Sequence, residues 1–179
     1  MKINKVASAL ILSMGMVAFG ANAADQGSGS VTFTGSIIDA PCSIAPDSVD
    51  QEVSLGQVAK NALMNGGKSN PAHFDIKLEN CVLSTDEAAK NTVTITFNGA
   101  AADTAKNLLK IEGTAEGAGV GITDPNGKQV TLGKATDAIA LTNAATNSLD
   151  LYGFLEGMDD TKLKEGSYQA ISHFTMDYQ

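Results

Sequence analysis

Short runs of alternating apolar and polar residues recur along this chain, and they restrict the fold more than any other feature. A period of two puts successive side chains on opposite faces of an extended strand, so each run buries one face and wets the other. Residues 73–79 place Phe74, Ile76 and Leu78 on one face, and residues 92–98 alternate through Val93, Ile95 and Phe97. Further runs cover 31–34, 51–56, 120–123, 128–132, 148–155 and 167–178. Asp124-Pro125-Asn126-Gly127 separates two of them. There Pro fixes φ and Asn-Gly supplies positive φ, the chemistry of a hairpin turn. Residues 57–64 and 103–109 read as helical turns. With no linker and no internal repeat, the pattern predicts one all-β domain, an antiparallel sandwich.

The first 23 residues stand apart from this pattern. Lys2 and Lys5 precede an apolar run from Val6 to Phe19, and Ala21-Asn22-Ala23 follows. A basic start, a short apolar stretch and Ala-x-Ala are the marks of a secretory signal, with an uncleaved anchor as the alternative. The run is too short to span a bilayer. Residues 1–23 are therefore read as a signal peptide and the rest as exported. Export places the two cysteines, Cys42 and Cys81, in an oxidising compartment. A single disulfide is expected, a free buried pair being the alternative. The link would close a loop of about 40 residues, which the chain-entropy model values at roughly 4 kcal/mol.

Charge and chemistry narrow the function by exclusion. The net charge is −8, and all 12 basic residues are Lys. Phosphate recognition favours a basic stripe with Arg forks, so nucleic acid is not an expected partner. His73 and His173 stand singly, without the partnered imidazole that acid–base catalysis needs. Gly117-Ala118-Gly119-Val120-Gly121 lacks the last glycine and the helix of a dinucleotide site, and reads as loop and strand start. Asp159-Asp160 reads as a solvated turn, and no Asp-x-Asp-x-Asp-Gly calcium loop is present. The expectation is a protein that is not an enzyme and holds no cofactor or metal.

The two ends of the exported chain carry the most information. In residues 24–36, Gly27, Gly29, Val31, Phe33 and Gly35 fall on one face, while serines and threonines fall on the other. Glycine weakens a strand, and close approach of another backbone is one reason to keep it there. Toward the C-terminus, Gly166, Tyr168, Ala170, Ser172, Phe174, Met176 and Tyr178 share one face. An immunoglobulin-type sandwich has seven strands, and this pattern supplies about six.

The chain resembles the chaperone–usher pilins of the type 1 and P-pilus group, and most of all their major rod subunits, such as that of mannose-resistant Proteus-like fimbriae. The residues that carry the resemblance are Gly29-Ser-Val-Thr-Phe-Thr-Gly35, Ile38-Asp-Ala-Pro-Cys-Ser-Ile44, the QEVSLGQ of 51–57, and the Leu-Glu-Asn-Cys that ends at Cys81. Val120-Gly-Ile-Thr-Asp124, Gly166 and the penultimate Tyr178 complete the set. The resemblance implies an incomplete immunoglobulin-like Greek-key sandwich, residues 37–179, lacking its last strand. It implies completion by donor-strand complementation, with residues 24–36 as the donor extension and Gly166, Tyr168, Phe174, Met176 and Tyr178 along the receiving groove. Implied partners are other copies of the chain in a head-to-tail polymer, other pilins, a periplasmic chaperone and an outer-membrane usher. The implied destination is the cell surface, as a fimbrium supporting adhesion. A minor adaptor pilin or a carbohydrate-binding adhesin module of the same fimbria is the alternative.

Overall fold

The structure, a computed structural model, describes residues 28–83, 91–103 and 105–179. The chain divides into an N-terminal unit ending at Ile37 and a body, Ile38–Gln179. Residues 28–37 contain no strand or helix, so the run at 31–34 is not a strand within its own chain. The residues read as a signal peptide lie outside the described part, as does Gly27.

In the body, β1 (Ser43–Ile44) and a turn of helix, α1 (Pro46–Val49), lead to α2 (Lys60–Leu63) and a 3-10 turn (Met64–Gly66). Then follow β2 (Ala72–Glu79), β3 (Thr92–Asn98), β4 (Ala101–Asp103), β5 (Leu108–Lys110), β6 (Glu112–Gly113), β7 (Ala118–Thr123) and β8 (Ile139–Ala140). The last three strands are β9 (Thr146–Gly157), β10 (Tyr168–Gln169) and β11 (His173–Tyr178). A six-stranded sheet runs β1-β2-β9-β7-β5-β4, a three-stranded sheet runs β11-β3-β8, and β10 pairs with β6. The strand pairs are antiparallel.

The alternation identified in the sequence sets the core. Ile76 and Leu78 of β2 and Leu149 and Leu151 of β9 turn inward from the large sheet, and Val93, Ile95 and Phe97 of β3 meet them. Each is at most 3% exposed. Complete burial of such a side chain stabilises by roughly 1.5–3 kcal/mol, so this layer holds the two sheets together. Chain entry and exit are clamped at one pole. Cys42 and Cys81 are disulfide-bonded with Cα atoms 4.1 Å apart. They flank the antiparallel pair β1–β2, in which Ser43 faces Glu79. The expected link across neighbouring strands is present.

Five local readings need correction. Of residues 103–109, 105–107 form a tight turn between β4 and β5. The Asp103 carboxylate accepts from the Ala105 and Lys106 amides at 2.8 and 3.1 Å, and Asn107 takes φ 53°. Local capping thus wins over helix-forming composition. Of 57–64, only the last residues are helical. After the Asp124 turn, 128–132 returns along β7 through a bridge, Thr123 to Gln129, rather than as a full strand. Within that turn only Gly127 takes positive φ, 81°. The run at 167–178 is broken in the middle, because β10 pairs with β6 whereas β11 pairs with β3.

The glycines of 117–121 have a packing role. Added atoms at Gly121 would collide with the Phe154 ring, and at Gly117 (φ 81°) with the Leu163 backbone 2.6 Å away. These glycines let β7 lie close against its neighbours.

Candidate functional site: an apolar groove with two unpaired edges

One side of the sandwich is open. A groove of about 1440 Å³ runs along it, with Ile76, Phe97, Leu109, Val120, Ile122 and Leu155 among its lining residues. One edge is formed by residues 51–58. Val53, Leu55 and Val58 are half-buried on the inward side, while Glu52, Ser54 and Gly56 are exposed. This is strand-like alternation, yet among the described residues none of 51–58 belongs to a ladder. The segment is anchored through its side chains. The Gln51 side-chain amide donates to the Asp75 carbonyl at 2.8 Å.

The other edge is the C-terminal segment. β10 and β11 each stand outermost in their sheets, so each has one paired and one free side. From Tyr168 to Tyr178 burial alternates residue by residue, and the inward members are only half-buried. Phe174 approaches Phe97 with ring centroids 6.2 Å apart, but its remaining surface opens on the groove. An inward aromatic that never reaches full burial marks a layer missing above it. Free ladder groups beside such a surface are what an added strand pairs with.

The sequence-derived groove residues divide into two sets. Gly166, Tyr168 and Phe174 line the groove. Met176 and Tyr178 lie farther along β11 and pack against the main core cluster, where the Tyr178 hydroxyl lies 3.8 Å from the Met176 sulfur. At Gly166 an added side chain would meet Ala115 N at 2.6 Å, so this glycine keeps the edge tight against the 114–116 loop. The edge at 51–58 and the cluster of Leu63, Ile111, Ala118 and Leu163 under one end had no site role in the sequence reading. The alternation of Glu-Val-Ser-Leu was the available signal for the former.

Burial raises Tyr168 and Tyr178 above the ordinary phenol value of 10.0. Their neutral forms are favoured in the folded state. The corresponding stability is fully present below the unfolded phenol value, and is lost as pH rises through the raised folded value. Alkaline titration followed by phenolate absorbance should show a late step, and Tyr168→Phe and Tyr178→Phe should each remove part of it. A titration unchanged by both substitutions would contradict their burial.

A fold with a wall absent and both lips of the gap unpaired is the setting in which the comparisons with known proteins become decisive. The Fimbrial protein family model matches residues 31–179. The chain belongs to this family. It is 48% identical to the Fimbria A protein of Serratia marcescens, and 45% identical to the Major MR/P fimbria protein of Proteus mirabilis, over the whole of both chains in each case. The solved P pilus rod subunit PapA superposes with a TM-score of 0.69 at 29% identity, covering 78% of this chain and all of that one. A chaperone–usher pilus structure, reported in connection with rod uncoiling, gives 0.73 at 31% identity, covering 86% and 97%. This fimbrial protein is a structural pilus subunit with the incomplete immunoglobulin-like fold of the chaperone–usher pilins, and not an enzyme. It polymerises with other pilin subunits into surface fimbriae.

Proposed function

We propose that the groove of each subunit receives residues 24–36 of the next copy, so that the filament is held together by one strand passed along at every joint. The observation that carries this reading is a pair of opposites. The groove has two unpaired edges over an apolar floor, while Val31 and Phe33 are 78% and 92% exposed in the chain that bears them. The alternating segment from Gly27 to Gly35 would extend for roughly 30 Å, enough to follow the groove. Insertion would pair its backbone with a free edge and turn Val31 and Phe33 onto the floor, contributing roughly 1.5–3 kcal/mol each. Gly27, Gly29 and Gly35 would let the inserted backbone lie close to the sandwich. Donor and groove are different surfaces, so the contact is heterologous and propagates as an open filament.

Before assembly the same groove would need temporary cover. A periplasmic chaperone lending a strand, and an outer-membrane usher exchanging it for the donor, fit a subunit whose residues 1–23 carry a secretory signal pattern. Residues 37–179 form the receiving pilin domain, and the assembled fimbria supports adhesion at the cell surface.

Hydrogen exchange on intact filaments tests the joint directly. Amides of residues 29–35 should be strongly protected in filaments and should lose that protection in dispersed, unassembled subunits. Residues 51–58 should follow the same pattern. Free exchange of 29–35 within filaments would refute the reading.

A further inference from the structure

The two sulfurs of the disulfide do not share one environment. Cys42 is 2% exposed and belongs to the main core cluster with Ile76, Leu78 and Leu149. Cys81 lies at the border of that cluster and is only half-buried. The side-chain amide of Asn147, which stands opposite Leu78 in the β2–β9 register, brings Nδ2 to 3.3 Å from the Cys81 sulfur. Its orientation is fixed by its other partners. Asn147 Oδ1 accepts from the Thr142 backbone amide at 2.8 Å and from the Thr142 hydroxyl at 2.9 Å, while Nδ2 donates to the Thr142 carbonyl at 3.0 Å. A backbone amide only donates and a carbonyl only accepts, so turning the side-chain amide over would set like groups against each other. Nδ2 carries two hydrogens: one goes to the Thr142 carbonyl and the other to the sulfur.

Such a donor does little for a neutral disulfide sulfur, but its bond to a thiolate is charge-assisted and stronger. Asp39 and Glu79, the charged residues nearest in sequence to the two cysteines, are both acidic. The Asn147 amide is therefore the group that favours a thiolate at Cys81. A Cys42 thiolate would instead form in the apolar core, where an unpaired charge is costly. Thiol–disulfide exchange needs a thiolate and a sulfur it can reach. We propose that the bond exchanges through Cys81 alone, with Asn147 as the positioning residue for its sulfur. When the bond is made, the Cys81 thiolate attacks the disulfide of an external oxidant, a thiol–disulfide oxidoreductase or a small disulfide. A mixed disulfide forms and one oxidant thiolate leaves. Cys42, after losing its proton, then attacks the Cys81 sulfur and expels the second oxidant thiolate. Two cysteine thiols are oxidised, one external disulfide is reduced to two thiols, and the two protons pass to the departing sulfurs. Opening by an external thiol runs the same steps backward. The thiol enters at Cys81 and must expel Cys42 as a thiolate into the core, so the bond opens slowly in the folded subunit.

The first test treats intact filaments with reduced glutathione, traps free thiols with N-ethylmaleimide and maps both labels by mass spectrometry. Glutathione should sit on Cys81 and maleimide on Cys42, with the reverse arrangement roughly tenfold rarer or more. Comparable labelling of Cys42 by glutathione, or no adduct at either sulfur of the folded protein, would overturn the proposal. This measurement starts from the native bond and stands even where a cysteine variant fails to fold. The second test uses Cys42→Ala in the full chain, which leaves Cys81 as a free thiol, and follows its alkylation by iodoacetamide against pH. Relative to Asn147, the midpoint should rise by about one pH unit in Asn147→Ala, where the donor is lost. It should rise further in Asn147→Asp, where a carboxylate of the same shape faces the sulfur. Unfolding would instead bring both variants to the ordinary thiol value of about 8.5. Coincident midpoints in the two variants would overturn the role of Asn147.

Discussion

Attaching residues 24–36 after Gln179 through a short flexible linker should raise the melting temperature of the mature subunit by tens of degrees. The free edge of β11 is where such an appended strand would return, as the second arm of a hairpin. Inside one molecule the strand acts at high effective concentration and no longer depends on protein concentration. It would bury Val31 and Phe33 and also cover Val53, Leu55, Tyr168 and Phe174, all half-buried without it. A gain of 1 kcal/mol moves a domain of 150–250 residues by about 2–4 °C, so a gain of about 10 kcal/mol corresponds to tens of degrees. The unmodified subunit should melt low and aggregate. Superimposable melting curves would mean that the groove does not accept a strand.

Gly29→Leu should abolish filament growth while leaving the subunit able to fold and to accept a normal donor. Gly29 has no neighbour within 4 Å, so a side chain there meets nothing in its own chain. In the groove of the next copy the same side chain would be pressed between backbone and floor. Overpacking of this kind costs typically 1–3 kcal/mol and can prevent the fit altogether. Thr32→Leu, on the opposite face of the segment, should polymerise almost normally. Detergent-resistant ladders and pilus yield compare the two. Equal assembly would show that the faces have been assigned the wrong way round. Misfolding of the Gly29→Leu subunit would place the segment in the subunit's own core.

Those parts of the fold that were legible in the sequence share one physical property: their alternation has a partner inside the chain. Phe74-Asp-Ile-Lys-Leu became β2 because β9 lies beside it in register, Phe74 opposite Leu151 and Ile76 opposite Leu149. Thr92 to Asn98 became β3 for the same reason, with β11 alongside. Residues 51–56 and 31–34 show equally regular alternation but no ladder, and in the donor-strand assembly proposed above these are the segments whose partner would belong to another copy. Failure of a strand-like pattern to form a strand was thus informative about function. The break between β10 and β11 was not legible, since it arises where the segment changes partner from β6 to β3, and pairing partners leave no mark on local periodicity. Nor could spacing reveal Leu163 and Ile111, which loops bring under the groove from distant parts of the chain.

The pairing of β11 with β3 also governs time. Thr96 and Thr175, bonded across that sheet, are 79 residues apart, and Thr92 exchanges backbone hydrogen bonds with Gln179 at 2.9 Å over a longer interval still. Contacts this far apart close slowly, because the entropy of the intervening loop is lost before any contact compensates it. The smaller sheet otherwise consists of β3 and the two-residue β8. A chain emerging N-terminus first therefore spends its early life with β3 unpaired along one side, and with Val93, Ile95 and Phe97 not yet sealed. In the assembly proposed above, cover for the nascent subunit would have to act before the acceptor itself exists, in the interval when residues 173–178 have not yet arrived.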